Sequence, residues 1–307
     1  MTVRVAKGDR VKHASRTDWG LGEVLADPAG DRVQILFEDA GVKDFKLPVA
    51  QFVKVTGGES ESAYLTGLVQ HFVKVKAKPK AGGKQAIAFT PFPRAVKNFL
   101  HYFPTGFQDP AYVSGKTSER EYKVAAHELA VELLGREPLG QLLTAGAYSE
   151  ICDRAKRVVN RTNLIHQYEK IWLANGLSSN GNQQAFSEGL NNLLYGDEPL
   201  QNRFDGFAEM LYGIHAAKWP IATYFLFTAF PNDQIFLKPE VTQHAADVLG
   251  LSIDYRPELN WRTYSKVLHL AETLRARLSK EGREELVPRD MIDVQSFIWI
   301  IAPGYFV

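Results

Sequence analysis

The sequence predicts a two-part chain, a small all-β SH3-like barrel followed by a large all-α domain. Three observations predict it. Over residues 1–56, short segments alternate apolar and polar side chains and are broken by glycine, proline or aspartate, the pattern of closely spaced strands. From Phe92 almost to the end, apolar residues recur at three- and four-residue spacing, the period of amphipathic helices. Between them, residues 57–91 hold a short helical stripe and a lysine-rich run punctuated by proline and glycine, a linker composition. A chain of 307 residues also exceeds the size at which one core stops growing. The expected divisions are a barrel at 1–56, a helix and basic linker at 57–91, and a helical domain at 92–307.

The strands follow in order. Gly8-Asp9-Arg10-Val11-Lys12-His13 opens the first, Trp19-Gly20-Leu21-Gly22 turns the chain, and Glu23-Val24-Leu25 begins the second. Arg32–Phe37, Val42–Leu47 and Phe52–Val55 continue the series, with breaks at Pro28-Ala29-Gly30-Asp31, at Glu38-Asp39-Ala40-Gly41 and at Pro48. Strands this short and this close together read as a small closed barrel rather than an open sheet.

The run Gly8-Asp9-x-Val11-x-His13, then Trp19-Gly20-x-Gly22-x-Val24, then a strand ending in Phe37 resembles the SH3-like Tudor modules at the carboxyl ends of UvrD/PcrA-type helicases. It is also similar to the RNA-polymerase-interacting barrels of transcription–repair coupling factors and CarD-type regulators. The resemblance covers roughly residues 5–55 and implies a module that binds RNA polymerase or nucleic acid. Ala14-Ser15-Arg16-Thr17-Asp18 lengthens the turn relative to the helicase modules. Arg16 and Trp19 are the candidate partner-binding residues.

After the barrel, Thr56–Ser62 forms a break. Ala63–Val73 carries a helical stripe of Leu65, Leu68, Val69 and Phe72. The run Lys74-Val75-Lys76-Ala77-Lys78-Pro79-Lys80 follows. A segment alternating lysine with small residues cannot bury apolar area. It reads as a tether, or as an arm lying along phosphates through Lys74, Lys76, Lys78 and Lys80.

In the last part, helices are expected at Arg94–Tyr102, Ser118–Leu134, Tyr148–Val159, Leu164–Asn175, Gln184–Leu194, Arg203–Tyr212, Pro220–Phe230, Val241–Leu249, Trp261–Leu278 and Asp290–Ile301. Only Gln234–Leu237 looks strand-like. Ser118 ahead of acids in a first turn and Gly135 at its end bound one helix.

Composition limits the chemistry. A formal net charge of +1 creates no global field for a polyanion, so nucleic-acid binding would have to come from local patches. The single cysteine, Cys152, excludes an internal disulfide and a cysteine zinc site and fits a reducing cytoplasm. Met1–Lys7 lacks the apolar run of a signal peptide, and the apolar window Ile221–Phe230 is too short to span a bilayer. A cytoplasmic protein without a membrane partner is expected. No two histidines lie at metal-ligand spacing, so no metal is expected. His127 and Glu128 are adjacent on a helix and must point to different sides. No phosphate-binding loop, dinucleotide fingerprint or nucleophile elbow is present, so no cofactor is expected.

Three stretches hold candidate site residues. From Phe204 to Leu251, a helix, a turn at His215–Pro220, an apolar helix, a loop and a helix ending in Leu249-Gly250-Leu251 are similar in order to helix-hairpin-helix DNA glycosylases. That resemblance implies backbone N–H groups presented to a DNA phosphate, excision of a flipped base, and Lys218 as a catalytic candidate. Ala216 and Ala217 stand where the family has hairpin glycines, and Lys238-Pro239 where it has an aspartate. In the second stretch, Arg154, Arg157 and Arg161 fall at i, i+3, i+7 on one helical face, with Lys156, Asn160 and Asn163 beside them. A basic stripe next to amides suits phosphate contacts. In the third, Asp290 and Asp293 open the last helix, where the helix dipole favours acids, and Asp293 is the other catalytic candidate.

The expected function is therefore a nucleic-acid-associated binding protein in DNA repair, transcription coupling or genome defence. The barrel would recruit a partner, and the helical domain would contact DNA through Arg154, Arg157, Arg161 and Lys218. The alternatives are a DNA-processing enzyme on a diverged glycosylase-like core and a protein–protein adaptor without nucleic acid.

Overall fold

The protein is described here by a computed structural model, which covers residues 4–38, 40–47, 52–62, 65–70, 92–115 and 118–302. Five short strands form the amino-terminal sheet: β1 (Arg10–His13), β2 (Gly22–Val24), β3 (Arg32–Phe37), β4 (Gly41–Lys46) and β5 (Phe52–Lys54). All pairings are antiparallel, in the order β4-β3-β2-β1-β5. The last strand returns beside the first, with Lys12 opposite Val53. Because β4 and β5 are the two sheet edges, the contact of Phe45 with Phe52, ring centroids 4.9 Å apart, requires the sheet to curl until its edges meet. The alternation legible in the sequence supplies the reason: Val11, Val24, Val33, Ile35, Phe37 and Phe52 point into one core, whose burial drives the closure.

The chain divides into two compact units, residues 1–101 with 243–252, and residues 102–242 with 253–307. In the first unit, residues 65–70 are helical, and Leu65 and Leu68 are buried with Leu21 and Leu36 of the barrel. A second helix, α1 (Phe92–Tyr102), buries Phe92, Ala95, Val96 and Phe99. The segment 243–252 joins this unit by a backbone crossing. A Cβ on Gly67 would lie 1.9 Å from the Gly250 carbonyl oxygen, and Gly250 itself has φ +63°. Only glycine satisfies both the spacing and the left-handed backbone. A linear division of the chain at residue 92 does not anticipate this return.

The second unit is helical: α2 (Pro110–Val113), α3 (Glu121–Leu134), α4 (Arg136–Thr144), α5 (Tyr148–Asn160), α6 (Gln167–Gly176), α7 (Asn180–Tyr195), α8 (Leu200–Gly213), α9 (Trp219–Ala229), α11 (Trp261–Ser279) and α12 (Met291–Ile300), with α10 (Pro239–Leu249) running on into the first unit. Every residue of α9 from Trp219 to Thr228 is buried, the signature of a central helix. It packs against α3, α6, α7 and α8.

Helices α2 and α4 and residues 234–237 depart from the sequence reading. Helix α4 is absent from that reading; its Pro138 falls in the first turn, where a missing N–H costs nothing. Residues 234–237 form no strand. Side chains take up this buried backbone instead: the Leu237 N–H donates to Thr223 Oγ1 at 3.0 Å, and Tyr264 OH donates to the Ile235 carbonyl at 3.2 Å. With those groups satisfied, no neighbouring strand is required.

Candidate interaction surface on the helical unit

The Arg154–Arg161 stripe lies on α5, whose other side buries Ile151, Cys152, Ala155, Val158 and Val159. The end of that helix is held from below by α9. Tyr224, fully buried, donates its hydroxyl to the Val158 carbonyl at 2.9 Å and pairs with Thr162 Oγ1 at 2.9 Å. Burial pushes the Tyr224 phenol well above its ordinary range, so it stays a neutral donor. Lys170 of α6 then donates to the Thr162 carbonyl at 2.9 Å, fastening α6 to the same loop. His166 caps α6, with Glu169 completing the capping box.

Between α5 and α6 runs a cleft of about 180 Å³, lined by Lys156, Val159, Asn160, Gln167, Lys170 and Ile171 among others. Burial holds the Lys170 ammonium below its ordinary pKa. The arginine stripe borders this cleft, since Arg157 and Asn160 are one turn apart on α5. The stripe is not uniform. Arg154 is engaged by Glu150 at 2.8 Å, and Lys156 by Asp153 at 2.6 Å. Arg157 and Arg161 are exposed and, among the described residues, form no ion pair.

Helix α6 adds what the sequence reading did not single out. It carries three exposed large apolar side chains, Tyr168, Ile171 and Trp172, exposed by 67%, 43% and 42%. Tyr168 is backed by the His166 ring, stacked at 5.3 Å. Trp172 is met by Lys218, whose Nζ lies 4.3 Å from the ring centroid. Lys218 reaches it because the turn between α8 and α9 docks on the end of α6, where a Cβ on Gly176 would stand 2.5 Å from the Ile214 carbonyl oxygen. The structure thus brings Lys218 onto α6, and α6 lies across the cleft from the helix that carries the arginine stripe. The available signal was Tyr168 and Trp172 at i, i+4, opposite the buried Leu173 side of the helix.

The hairpin itself is arranged differently from a phosphate-gripping one. The N–H groups of Ile214, His215 and Ala216 donate to the carbonyls of Met210, Tyr212 and Leu211. They close the end of α8 and are turned away from any ligand. His215 adopts φ +59° to make this closure, and Ala216 is fully buried. Lys218 forms no ion pair among the described residues, so no carboxylate stands beside it.

Asp293 occupies a different environment. It is fully buried at the start of α12 and accepts from Tyr112 OH at 2.6 Å, Arg120 at 2.7 Å, and the Arg289 side chain and N–H. Asp290 caps the helix and takes both ends of the Arg120 guanidinium, at 2.8 and 2.6 Å. Burial by itself would raise the Asp290 carboxyl, but the Arg120 contacts and the N–H groups of Asp293 and Ile292 outweigh it and hold the pKa below its ordinary value. Nearby, Lys123 is buried and donates to Glu119 at 3.1 Å and Ser296 at 2.7 Å. Burial lowers its pKa against the pull of Glu119. Three cations, Arg120, Lys123 and Arg289, thus face three acids, Glu119, Asp290 and Asp293. The Asp293 carboxylate is saturated by donors, which is a structural arrangement.

Residues 5–55 match the model of a family described as a protein of unknown function (DUF3553). No curated protein and no solved structure matches the chain. Within the matched barrel, Arg16 is exposed and its guanidinium sits 4.8 Å from the Trp19 ring centroid. Trp19 is half-buried among His13, Phe37 and Phe45, so only part of it faces outward. Lys74, Lys76, Lys78 and Lys80 lie outside the described residues. His127 is satisfied by the Thr228 carbonyl at 2.7 Å. Among the described residues no cluster of histidine, cysteine, aspartate or glutamate could hold a metal ion, and no helix is long and apolar enough to cross a membrane. Cys152 is buried and free, its thiol pushed up by burial to about 11.

Proposed function

We propose that this is a nucleic-acid-associated binding protein of the cytoplasm, acting in DNA repair, transcription coupling or genome defence. In this reading the α5–α6 face contacts the phosphate backbone, and the barrel recruits a protein partner, RNA polymerase among the candidates, through the Arg16–Trp19 corner. One observation carries the reading. Among the described residues, Arg157 and Arg161 form no ion pair beside the cleft that holds the amides Asn160 and Gln167, and Lys218, over Trp172 of α6, forms none either. Elsewhere on the helical unit, cations such as Arg120 and Lys123 are neutralised by acids. Unpaired cations beside amide donors are the chemistry of phosphate contact, and each cation that meets a phosphate releases a counterion.

The test is fluorescence anisotropy with labelled DNA and RNA across a salt series. Wild type should bind with a steep salt dependence, and replacing both Arg157 and Arg161 by alanine should flatten the log–log slope by roughly two. An absence of salt-dependent binding to every probe refutes the reading and leaves the adaptor alternative.

A further inference from the structure

The geometry points to single-stranded nucleic acid as the ligand of the α5–α6 face, an inference that rests on the nucleic-acid reading above. Cations alone do not distinguish a duplex from a single strand, because both present phosphates. The aromatic rings do. Tyr168 and Trp172 are one helical turn apart, so their side chains stand side by side on α6. Each has a group against it, His166 stacked on Tyr168 and Lys218 over Trp172, yet they remain exposed by 67% and 42%. A ring steadied on one side and open on the other is a platform for a flat partner. It has already lost most of the rotamer freedom that binding would otherwise cost.

Bases in a duplex have their faces covered by neighbouring pairs and cannot reach such rings. Bases of a single strand can, whatever their identity, because every base has a π-face. Charge complementarity selects the occupant further. An apolar protein helix would satisfy Tyr168, Ile171 and Trp172 but would leave Arg157, Arg161 and Lys218 facing nothing of opposite sign. A strand whose bases stack on α6 while its phosphates run past α5 satisfies both sets at once. Ile171, one turn on from Tyr168 and also a wall of the cleft, carries the footing from the Tyr168 ring to Asn160 and Gln167, whose amides can meet base edges or sugar hydroxyls.

The experiment measures the full chain against three labelled probes, an oligo(dT) and an oligo(rU) of about 15 nucleotides and a blunt duplex of the same length. Wild type should bind at least one single strand about tenfold or more tighter than the duplex. Trp172→Ala and Tyr168→Ala should each weaken single-strand binding roughly tenfold and leave the salt slope unaltered, since a neutral ring releases no counterion. Trp172→Phe should restore part of the loss. A preference between the two single strands identifies the sugar and supports the inference either way. Equal affinity for duplex and single strand, with both ring variants silent, overturns it. In that case the nucleic-acid reading still stands if binding remains salt-dependent and is lost on replacing Arg157 and Arg161. Failure to bind any of the three probes overturns both.

Discussion

Two regions of the helical unit use the same residue types for opposite ends. At the start of α12, Arg120 and Arg289 meet Asp290 and the buried Asp293 in a saturated network. At the end of α5, Arg157 and Arg161 stand exposed beside the cleft that separates them from α6, with no acid partner among the described residues. What separates them is whether each charge is already satisfied. A saturated ion network holds elements together and has nothing left to offer a ligand. An exposed unpaired set contributes almost nothing to folding and is retained at the surface, where a polyanion can meet it.

The sharpest way to break this comparison is to cut one residue from each region. Arg120→Ala removes the cation shared by two carboxylates, one of them fully buried, leaves Asp293 to Arg289 and Tyr112, and should cost about 3 kcal/mol of unfolding free energy. Arg157→Ala should change it by no more than about 0.5 kcal/mol. Denaturant titration of the two variants decides the matter, and comparable losses would erase the distinction. Next in size is Tyr224→Phe, which removes the hydroxyl holding the end of α5. The Val158 carbonyl keeps the Arg161 N–H but loses its second donor, and Thr162 Oγ1 loses its phenol partner, a loss of about 0.5–1.5 kcal/mol. The substitution should also weaken binding at the α5–α6 face, although Tyr224 touches no ligand.

Acidity separates the regions in another way. The folded-state pKa of Asp290 is depressed, so its contribution is present above the ordinary carboxyl range and is lost as pH falls through the folded value. The wild-type denaturation midpoint should therefore drop on acidification below about pH 4, and Asp290→Asn should flatten that drop. Replacing Arg157 and Arg161 should leave the acid profile of stability as it is. An acid limb that Asp290→Asn does not change would remove Asp290 as its source.

Much of the fold was legible because it depends on periodicity. The alternation at Val11, Val24, Ile35 and Phe37 marked the barrel, and ten helices were readable from their apolar stripes. The α4 helix went unmarked, its Pro138 harmless because it falls in the first turn, and residues 234–237 looked strand-like because their partners are side chains distant in sequence. The candidate face was half legible. Charge spacing on one helix revealed Arg154, Arg157 and Arg161, but whether each is paired depends on Glu150 and on the neighbouring fold. Lys218 was singled out for its place in the hairpin, yet its neighbour is a tryptophan from a different helix. Tyr168 and Trp172 went unmarked within the expected helix Leu164–Asn175. Only the packing of α6 shows which side of that helix is covered. Asp293 illustrates the reverse case. An acid in a first turn leaves open whether it is a cap or a catalyst, and the answer comes from Tyr112 and Arg120, more than a hundred residues earlier.

The smallest expected effect makes the finest distinction, because it compares two consecutive residues. Trp172 is exposed by 42% and Leu173 by 1%. If α6 turns its aromatic side outward for a ligand, Trp172→Ala should cost at most about 1 kcal/mol, the scale of an exposed cation–π contact with Lys218. Leu173→Ala opens a cavity in the core and should cost about 2–5 kcal/mol. Size and apolarity do not explain that order, since tryptophan is the larger side chain and would be the more costly loss if both were core. A loss at Trp172 as great as that at Leu173 would mean that the ring is part of the packing, and the α6 surface would lose its claim to a ligand. A near-neutral Trp172→Ala leaves a large aromatic side chain that folding does not need, beside cations that folding does not use.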